Sequence, residues 1–320
     1  MRIVHVLPIL TKGGGERVAT ELANHAVNAG HDVTVIFGCP SEYIQTQNEF
    51  DSKIQIQYVS NSAGSRLGRY LSIFPWLRGH RSWVAEQDVI HCHLSYGAVF
   101  GTIVGFWRNL SGAVQPVVVE TYHSVGMNIP PLHRWIHTQL LARRDALVLM
   151  AEDEYWNRFV AEHPKLYSKV IPNGIRLSKN DVDVDIQRAY REKLGIPNSC
   201  RFVVGTVCML RPDRKPWLYI PIFDQVARVL GPEVHFVIAG GGAELDRMRS
   251  LVIEHGLEGR VHLPGLDLNP DLTRSIMDLY ITLNVGPLTG IAAMEAASVA
   301  LPVLAIQLRN DYENTPNDWI

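Results

Sequence analysis

The feature that most constrains this chain is an alternation, run twice, of short β-branched stretches with longer helical patterns. The first run reads IVHVL from residue 3, VTVIF from 33, VIHC from 89, PVVVE from 116 and ALVLM from 146. The second reads RFVVGTV from 201, VHFVIAG from 234, RVHLPG from 260, DLYITL from 278 and PVLAI from 302. Short apolar runs with helical periodicity between them are the pattern of parallel sheets covered by helices. Two such runs predict two doubly wound α/β units. Between them VIPNGIRLSKNDVDVDIQ, residues 170–187, is polar and turn-rich, the composition of a domain joint. The expected division is 1–175, a linker over 176–200, and 201–320, with a cleft at the joint.

Composition narrows the partners. A chain of 320 residues that is 47% hydrophobic and 19% charged is long enough for two buried cores. Its net charge of −2 gives no electrostatic case for nucleic acid. Cys39, Cys92, Cys200 and Cys208 show neither C-x-x-C spacing nor histidines at zinc-ligand intervals, so the expectation is no disulfide framework, no metal and a reducing cytoplasm. The apolar opening MRIVHVLPIL is too short to span a bilayer and reads as a strand.

After that strand, TKGGGERVATELANHAVNAGHDV supplies three glycines and then a helix. Val18, Ala19, Leu22, Ala23, Ala26 and Val27 form its apolar face, and Gly30 ends it. A glycine turn opening onto a helix presents free amides and a partial positive charge to an anion such as a diphosphate. The motif is neither a P-loop, since no Gly-Lys-Ser/Thr follows, nor G-x-G-x-x-G. The alternative is a tight strand-to-helix turn without a ligand.

A second signal is LNVGPLTGIAAMEAASVALPVLAI, residues 283–306, where Glu295 is the single carboxylate in an alanine-rich segment. A helix is expected to open near Leu288 to Gly290, which places Glu295 too deep to be a cap. A carboxylate in such surroundings needs a partner. His93 and His123 both fall where strands end, the edge at which open α/β sheets bind ligands, while His91 reads as core.

Taken together, GGGERVATELANHAVNAGHDVTV, DVIHCH, VVVETYH, VIPNGI, VGTVCMLRPDRK, HFVIAGGGAELDRM, HGLEGRVHLPGL and TGIAAMEAASVALPVLA resemble the retaining nucleotide-sugar glycosyltransferases of the GT-B fold, family 4. The resemblance runs from Met1 to about Gln307. It implies two Rossmann-like domains facing a cleft, the first for acceptor and the second for an activated sugar nucleotide. Because family members continue past the PVLA strand, it also implies an incomplete C-terminal domain.

The resemblance implies roles. The family places two glutamates eight positions apart, with a glycine three after the first; Glu295 and Gly290 match, but Pro287 stands at the first glutamate. Glu295 is thereby expected to accept from the ribose hydroxyls, a task that suits a carboxylate. The other reading of Glu295 is a core glutamate paired with an arginine. An arginine and a lysine of the family face the diphosphate; Lys215 matches the lysine and Met209 stands at the arginine, with Arg211 or Arg214 as substitutes. The implied donor site is Gly14, Gly15, Arg211, Arg214, Lys215, Gly265, Leu288, Thr289, Gly290, Ile291 and Glu295, with His93 toward the acceptor. Lys215, His123 and Glu295 are the implied catalytic residues. The donor is expected to be UDP-linked, and no cofactor or metal is called for. On this reading Lys215, the Gly14 and Gly15 amides and the helix start at Leu288 to Ile291 hold charge on the departing diphosphate, which takes the acceptor proton itself.

Two segments are weighed separately. DVDVD, Asp181 to Asp185, imitates a metal-binding Asp-x-Asp but lies in the linker and reads as solvated. Residues 65–87 mix Arg66, Arg69, Arg78 and Arg81 with Tyr70, Phe74, Trp76 and Trp83, and carry no acid before Glu86. That composition suits an anionic membrane face and a lipid-linked acceptor, with an ordinary surface helix as the alternative. Pro287 and Met209 leave a rival class open, a GT-B homologue serving as a nucleotide-binding or partner subunit. An epimerase of the same fold would need acid/base carboxylates that are not found.

Overall fold

The structure is a computed structural model that describes residues 1–9, 13–40, 49–61, 65–111, 116–123, 135, 138–140, 143–152, 154–175, 177, 182–266, 269–284 and 290–308. The chain divides into two compact units, Met1–Gly174 and Ile175–Ile320. Each is a parallel sheet with helices.

The first unit runs β1 (Arg2–Leu7), α1 (Gly14–Asn28), β2 (Asp32–Phe37), β3 (Gln55–Tyr58), α2 (Arg66–Leu71), α3 (Ile73–Gly79), α4 (Arg81–Ala85), β4 (Val89–His93), α5 (Leu94–Ser111), β5 (Val117–Tyr122), β6 (Ala146–Leu149), α6 (Glu154–Glu162) and β7 (Tyr167–Val170). Its described strands form one sheet in the order β3-β2-β1-β4-β5-β6-β7, every neighbouring pair parallel. The direction of winding reverses between β1 and β4. Both faces are buried. Val4, Val6, Ile90 and Val118 pack with Tyr96 and Phe100 of α5 on one side, and Ala19, Ala23 and Val27 of α1 pack with Val33, Val35 and Phe37 on the other. Helix α5 lies close to the sheet because a Cβ at Gly97 would come within 2.8 Å of the Val6 carbonyl oxygen.

The second unit runs α7 (Val184–Leu194), β8 (Phe202–Val207), α8 (Tyr219–Leu230), β9 (Val234–Ala239), α9 (Leu245–Glu254), β10 (Val261–Gly265), α10 (Pro270–Ser275), β11 (Leu279–Asn284), α11 (Ile291–Ser298) and β12 (Val303–Gln307). Its order is β10-β9-β8-β11-β12, again all parallel, and the winding reverses between β8 and β11.

The ten strands expected from sequence are present, and β3 and β7 join them at the two edges of the first sheet. Two other departures have plain causes. Leu22 is exposed, because the small residues Ala19 and Ala23 already bring α1 against the sheet. The stretch expected as linker carries α7, whose Tyr190 and Leu194 pack with Ile196 and Cys200 in the second unit's core. At Pro75, whose ring has no N–H to donate, the helical stretch is interrupted: α2 ends at Leu71, α3 begins at Ile73, and the proline falls in the first turn of α3. On β12, at the sheet edge, Leu304 is 47% exposed.

Candidate active site

In an open α/β sheet, ligands bind beyond the carboxyl ends of strands where the winding reverses. Both units place sequence-expected residues there. In the first, α1 begins from Gly13, whose backbone is extended and whose carbonyl accepts from Arg17 N at 3.0 Å. Gly13 has no side chain to cap this end, and Gly14 and Gly15 supply amides of the first turn. A Cβ on Gly15 would crowd Leu94 Cδ2 at 3.1 Å and approach His123 Cγ at 3.5 Å. The glycine turn and His123 are therefore neighbours.

His123 sits on a stack of histidines. His93 Nδ1 lies 3.2 Å from His123 Nε2, and His93 Nε2 lies 3.0 Å from His5 Nδ1. His91 Nε2 meets Thr121 Oγ1 at 2.7 Å. Burial pushes the pKa of His5 and of His123 down to about 4 and holds His91 and His93 well below the usual range, with neighbouring histidines adding to the suppression. All four rings are neutral at pH 7. Each then has one N–H, so the two N···N contacts must run in the same direction along His5, His93 and His123.

This arrangement changes two assignments. His93, expected to face the acceptor, is wholly buried beneath the less enclosed His123. His91, read as plain core, belongs to the cluster, as does His5, which sequence reasoning passed over. The available signal was the register that sets His5 beside His91, and it exists only once β1 and β4 are paired.

In the second unit the loop after β8 is held by a glycine run, Gly240 to Gly242. A Cβ on Gly240 would sit 1.7 Å from the Cys208 carbonyl oxygen, and one on Gly242, at φ 150°, would sit 2.2 Å from that of Leu210. Only glycine permits this approach. Leu210 N donates to Gly241 O at 2.9 Å, and Glu244 N donates to Leu210 O at 3.0 Å. Gly265, expected at the donor, closes β10, and its carbonyl accepts from Gly240 N at 2.7 Å, so its observed part is to brace the glycine run.

The braced loop carries Lys215 between two 3₁₀ turns, Pro212–Arg214 and Pro216–Leu218. Lys215 is left-handed, φ 48° and ψ 46°, and precedes a proline, two conditions that a lysine backbone resists. The two arginines nominated beside it are engaged. Arg211 grips Asp213 through Nε–Oδ1 at 3.1 Å and Nη2–Oδ2 at 2.7 Å, and Arg214 Nε lies 3.8 Å from the same carboxylate. Met209 is on the surface.

Beyond β11, α11 starts at Ile291 from Gly290, which has no side chain to cap it. Pro287, Leu288 and Thr289 lie outside the described residues. Glu295 is in the second turn, and its Oε2 accepts from Arg274 Nη1 at 3.0 Å. Arg274 is 3% exposed and Glu295 14%, and Arg274 Nη2 also donates to Asp271 Oδ1 at 2.5 Å. The pairing is the one that the core-glutamate reading calls for; it also fixes the direction in which the carboxylate points. In the Asp-x-Asp look-alike, Asp183 caps α7 by accepting from Asp185 N at 2.8 Å, and Asp185 pairs with Arg188.

A parallel-sheet pair with glycine-cradled loops and a helix starting from glycine at each point of reversal is the frame of a nucleotide-using α/β enzyme. The model for Glycosyltransferase Family 4 matches residues 12–179, and that for Glycosyl transferases group 1 matches residues 187–313. The chain belongs to glycosyltransferase family 4. Among solved structures it is similar to HepE of Anabaena in complex with UDP and glucose, at 20% identity and TM-score 0.74, covering 95% of this chain and 80% of that one. It is similar also to sucrose-phosphate synthase from Thermosynechococcus elongatus, at 17% identity and TM-score 0.70 over the same shares. WaaG, a glycosyltransferase involved in lipopolysaccharide biosynthesis, matches at 16% identity and TM-score 0.65, again over 95% and 80%. These neighbours are GT-B glycosyltransferases, and the two parallel-sheet units are the GT-B architecture. No curated protein sequence matches the chain.

Proposed function

We propose that this glycosyltransferase moves a sugar from a UDP-linked donor to a glycan or lipid-linked acceptor in cell-surface polysaccharide synthesis, with retention of anomeric configuration and no metal in the transfer step. The observation that carries the donor half is the placement, beyond the neighbouring strands β8 and β11, of the braced Lys215 loop, of the start of α11 at Gly290 and of the oriented Glu295. An ammonium and a helix N-terminus stabilise the charge of a departing diphosphate. Glu295 accepts from two vicinal ribose hydroxyls. In the first unit, the Gly14 and Gly15 amides and His123 are the groups that meet an acceptor or a sugar hydroxyl, with His93 supporting His123 from below. The acceptor hydroxyl attacks on the face that the diphosphate leaves, and the diphosphate takes its proton.

HepE, solved with UDP and glucose, and WaaG, of lipopolysaccharide biosynthesis, support this choice of donor and pathway class. Among the described residues no helix is long and apolar enough to cross a membrane. Approach to a lipid-linked acceptor at the inner face of the membrane would then use residues 65–87, where Leu67, Leu71 and Phe74 are exposed beside Arg78 and Arg81.

A screen of sugar nucleotides by thermal shift, followed by a donor turnover assay, tests the proposal: a UDP-sugar should raise Tm and be consumed. The pairing of Arg211 and Arg214 with Asp213 favours one second reading, a nucleotide-binding partner subunit. Binding of UDP without turnover of any sugar nucleotide would select it.

A further inference from the structure

Two histidines at i and i+2 on a strand share a face, and a third on the adjacent strand can complete a facial set of three nitrogen ligands. His91 and His93 of β4 and His5 of β1 are so placed, His5 directly beside His91 in the parallel register. One ring nitrogen from each lies within 4.8 Å of the other two. We propose that His5, His91 and His93 bind a divalent transition metal of the zinc class, clipping β1 to β4 beneath the glycine turn.

The hydrogen bonds around the cluster orient it for that task. His91 turns Nε2 outward to Thr121 Oγ1 at 2.7 Å, and His93 turns Nδ1 outward to His123 Nε2 at 3.2 Å. Metal-binding histidines characteristically use one nitrogen in this way and keep the other for the ion. The inward atoms are then His91 Nδ1 and His93 Nε2, and the latter already lies 3.0 Å from His5 Nδ1. Tetrahedral bonds of about 2.0–2.1 Å separate ligand nitrogens by about 3.3 Å, so this pair needs to open by only a few tenths of an ångström.

The ion's class follows from the donors. Neutral imidazoles suit Zn²⁺, Co²⁺, Ni²⁺ or Cu²⁺, whereas Mg²⁺, Ca²⁺ and Mn²⁺ prefer oxygen. Burial keeps the rings unprotonated at neutral pH, the form in which they can ligate. The buried Glu120 of β5 lies beside Cys92 in the register, on the opposite face from His91 and His93, and is taken by Arg144 at 2.9 Å. Three protein ligands leave a fourth position for water or another small donor. The inference does not depend on the transferase reading, because the ion is assigned to the sheet and to no step of the transfer.

The test uses the full chain, stripped with a chelator and titrated with Zn²⁺ or Co²⁺ alone. One equivalent should survive gel filtration, raise Tm, and in the Co²⁺ form give the visible absorption of a tetrahedral site. His91→Gln and His5→Gln should each lower the affinity at least tenfold. Zinc-edge X-ray absorption of the unsubstituted protein counts the imidazoles without any variant, should one fail to fold, and three are expected. No bound equivalent, fewer than three imidazoles, or affinity retained in His91→Gln but lost in His235→Gln/His262→Gln, the second unit's own stacked pair, would overturn the assignment.

Discussion

Arg274 Nη1 donates to Glu295 Oε2 at 3.0 Å, joining α10 to α11 through a guanidinium that is 3% exposed. An arginine this enclosed can hold a carboxylate in place for a ligand, or the two can simply satisfy each other. Glu295→Gln separates these outcomes because it keeps shape and removes charge. If the carboxylate accepts from ribose, UDP affinity measured by calorimetry falls by about 10-fold to 100-fold, the worth of a charge-assisted hydrogen bond. A loss of stability with UDP affinity intact would assign Glu295 to structure alone.

Lys215 gives a sharper case, since its backbone and its ammonium predict opposite effects. A left-handed conformation costs an L-residue about 1–2 kcal/mol, and Lys215→Gly relieves it at the expense of a more flexible unfolded chain, about 0.4–1 kcal/mol. Stability should therefore hold or rise by up to about 1.6 kcal/mol, while sugar-nucleotide turnover falls at least about 100-fold, as for loss of a group that stabilises the leaving charge. Lys215→Ala should lose turnover equally without the gain in stability. Turnover retained in the glycine variant would mean that the ammonium takes no part.

Which of these features could be read in sequence depends on whether their cause is local. The buried strands announced themselves because VHFVIA and VVVETY are rich in branched and other apolar residues, whereas β3 is QIQY and β7 is YSKV, polar because each lies at a sheet edge. Glu295 stood out as a lone charge in an alanine-rich helix. Its partner did not, because Arg274 lies 21 residues away and is aligned by the packing of α10. The histidine cluster needed the β1–β4 register, and the unusual backbone at Lys215 needed the glycine run that braces its loop. Even composition misleads at Arg211 and Arg214, where Asp213, two positions from the first and next to the second, engages both cations.

Glu120 predicts a pH effect on stability. Its carboxyl is fully enclosed, and burial pushes its pKa from 4.5 up to about 7 against the opposing pull of Arg144. Between these values the native chain holds a proton that the unfolded chain has lost, so the contribution to stability falls as pH rises through the window. The slope is at most about 1.4 kcal/mol per pH unit. Glu120→Gln carries no titrating carboxyl. Denaturant titrations from pH 5 to 7 should show the wild type losing stability relative to this variant. A constant difference would show that Arg144 holds the carboxylate charged throughout.

The surface over 65–87 predicts where the protein meets lipid. Leu67, Leu71 and Phe74 are exposed, and the Phe74 ring meets Trp107 edge-on at 5.8 Å, bringing α3 against α5, whose Phe106 and Leu110 are exposed as well. Exposed apolar side chains with Arg78 and Arg81 beside them suit an anionic bilayer, where each basic group near the surface adds about 1 kcal/mol. Leu67→Ser/Leu71→Ser removes apolar contact at positions where burial contributes little to the fold, so Tm should hold while co-sedimentation with phosphatidylglycerol vesicles falls at least tenfold. Arg78→Gln/Arg81→Gln should weaken binding most at low salt, because the attraction is screened within about 10 Å at 0.1 M. Equal sedimentation with neutral vesicles, or no loss in either variant, would leave this face an ordinary solvated surface and move the search for the acceptor's point of entry elsewhere on the first unit.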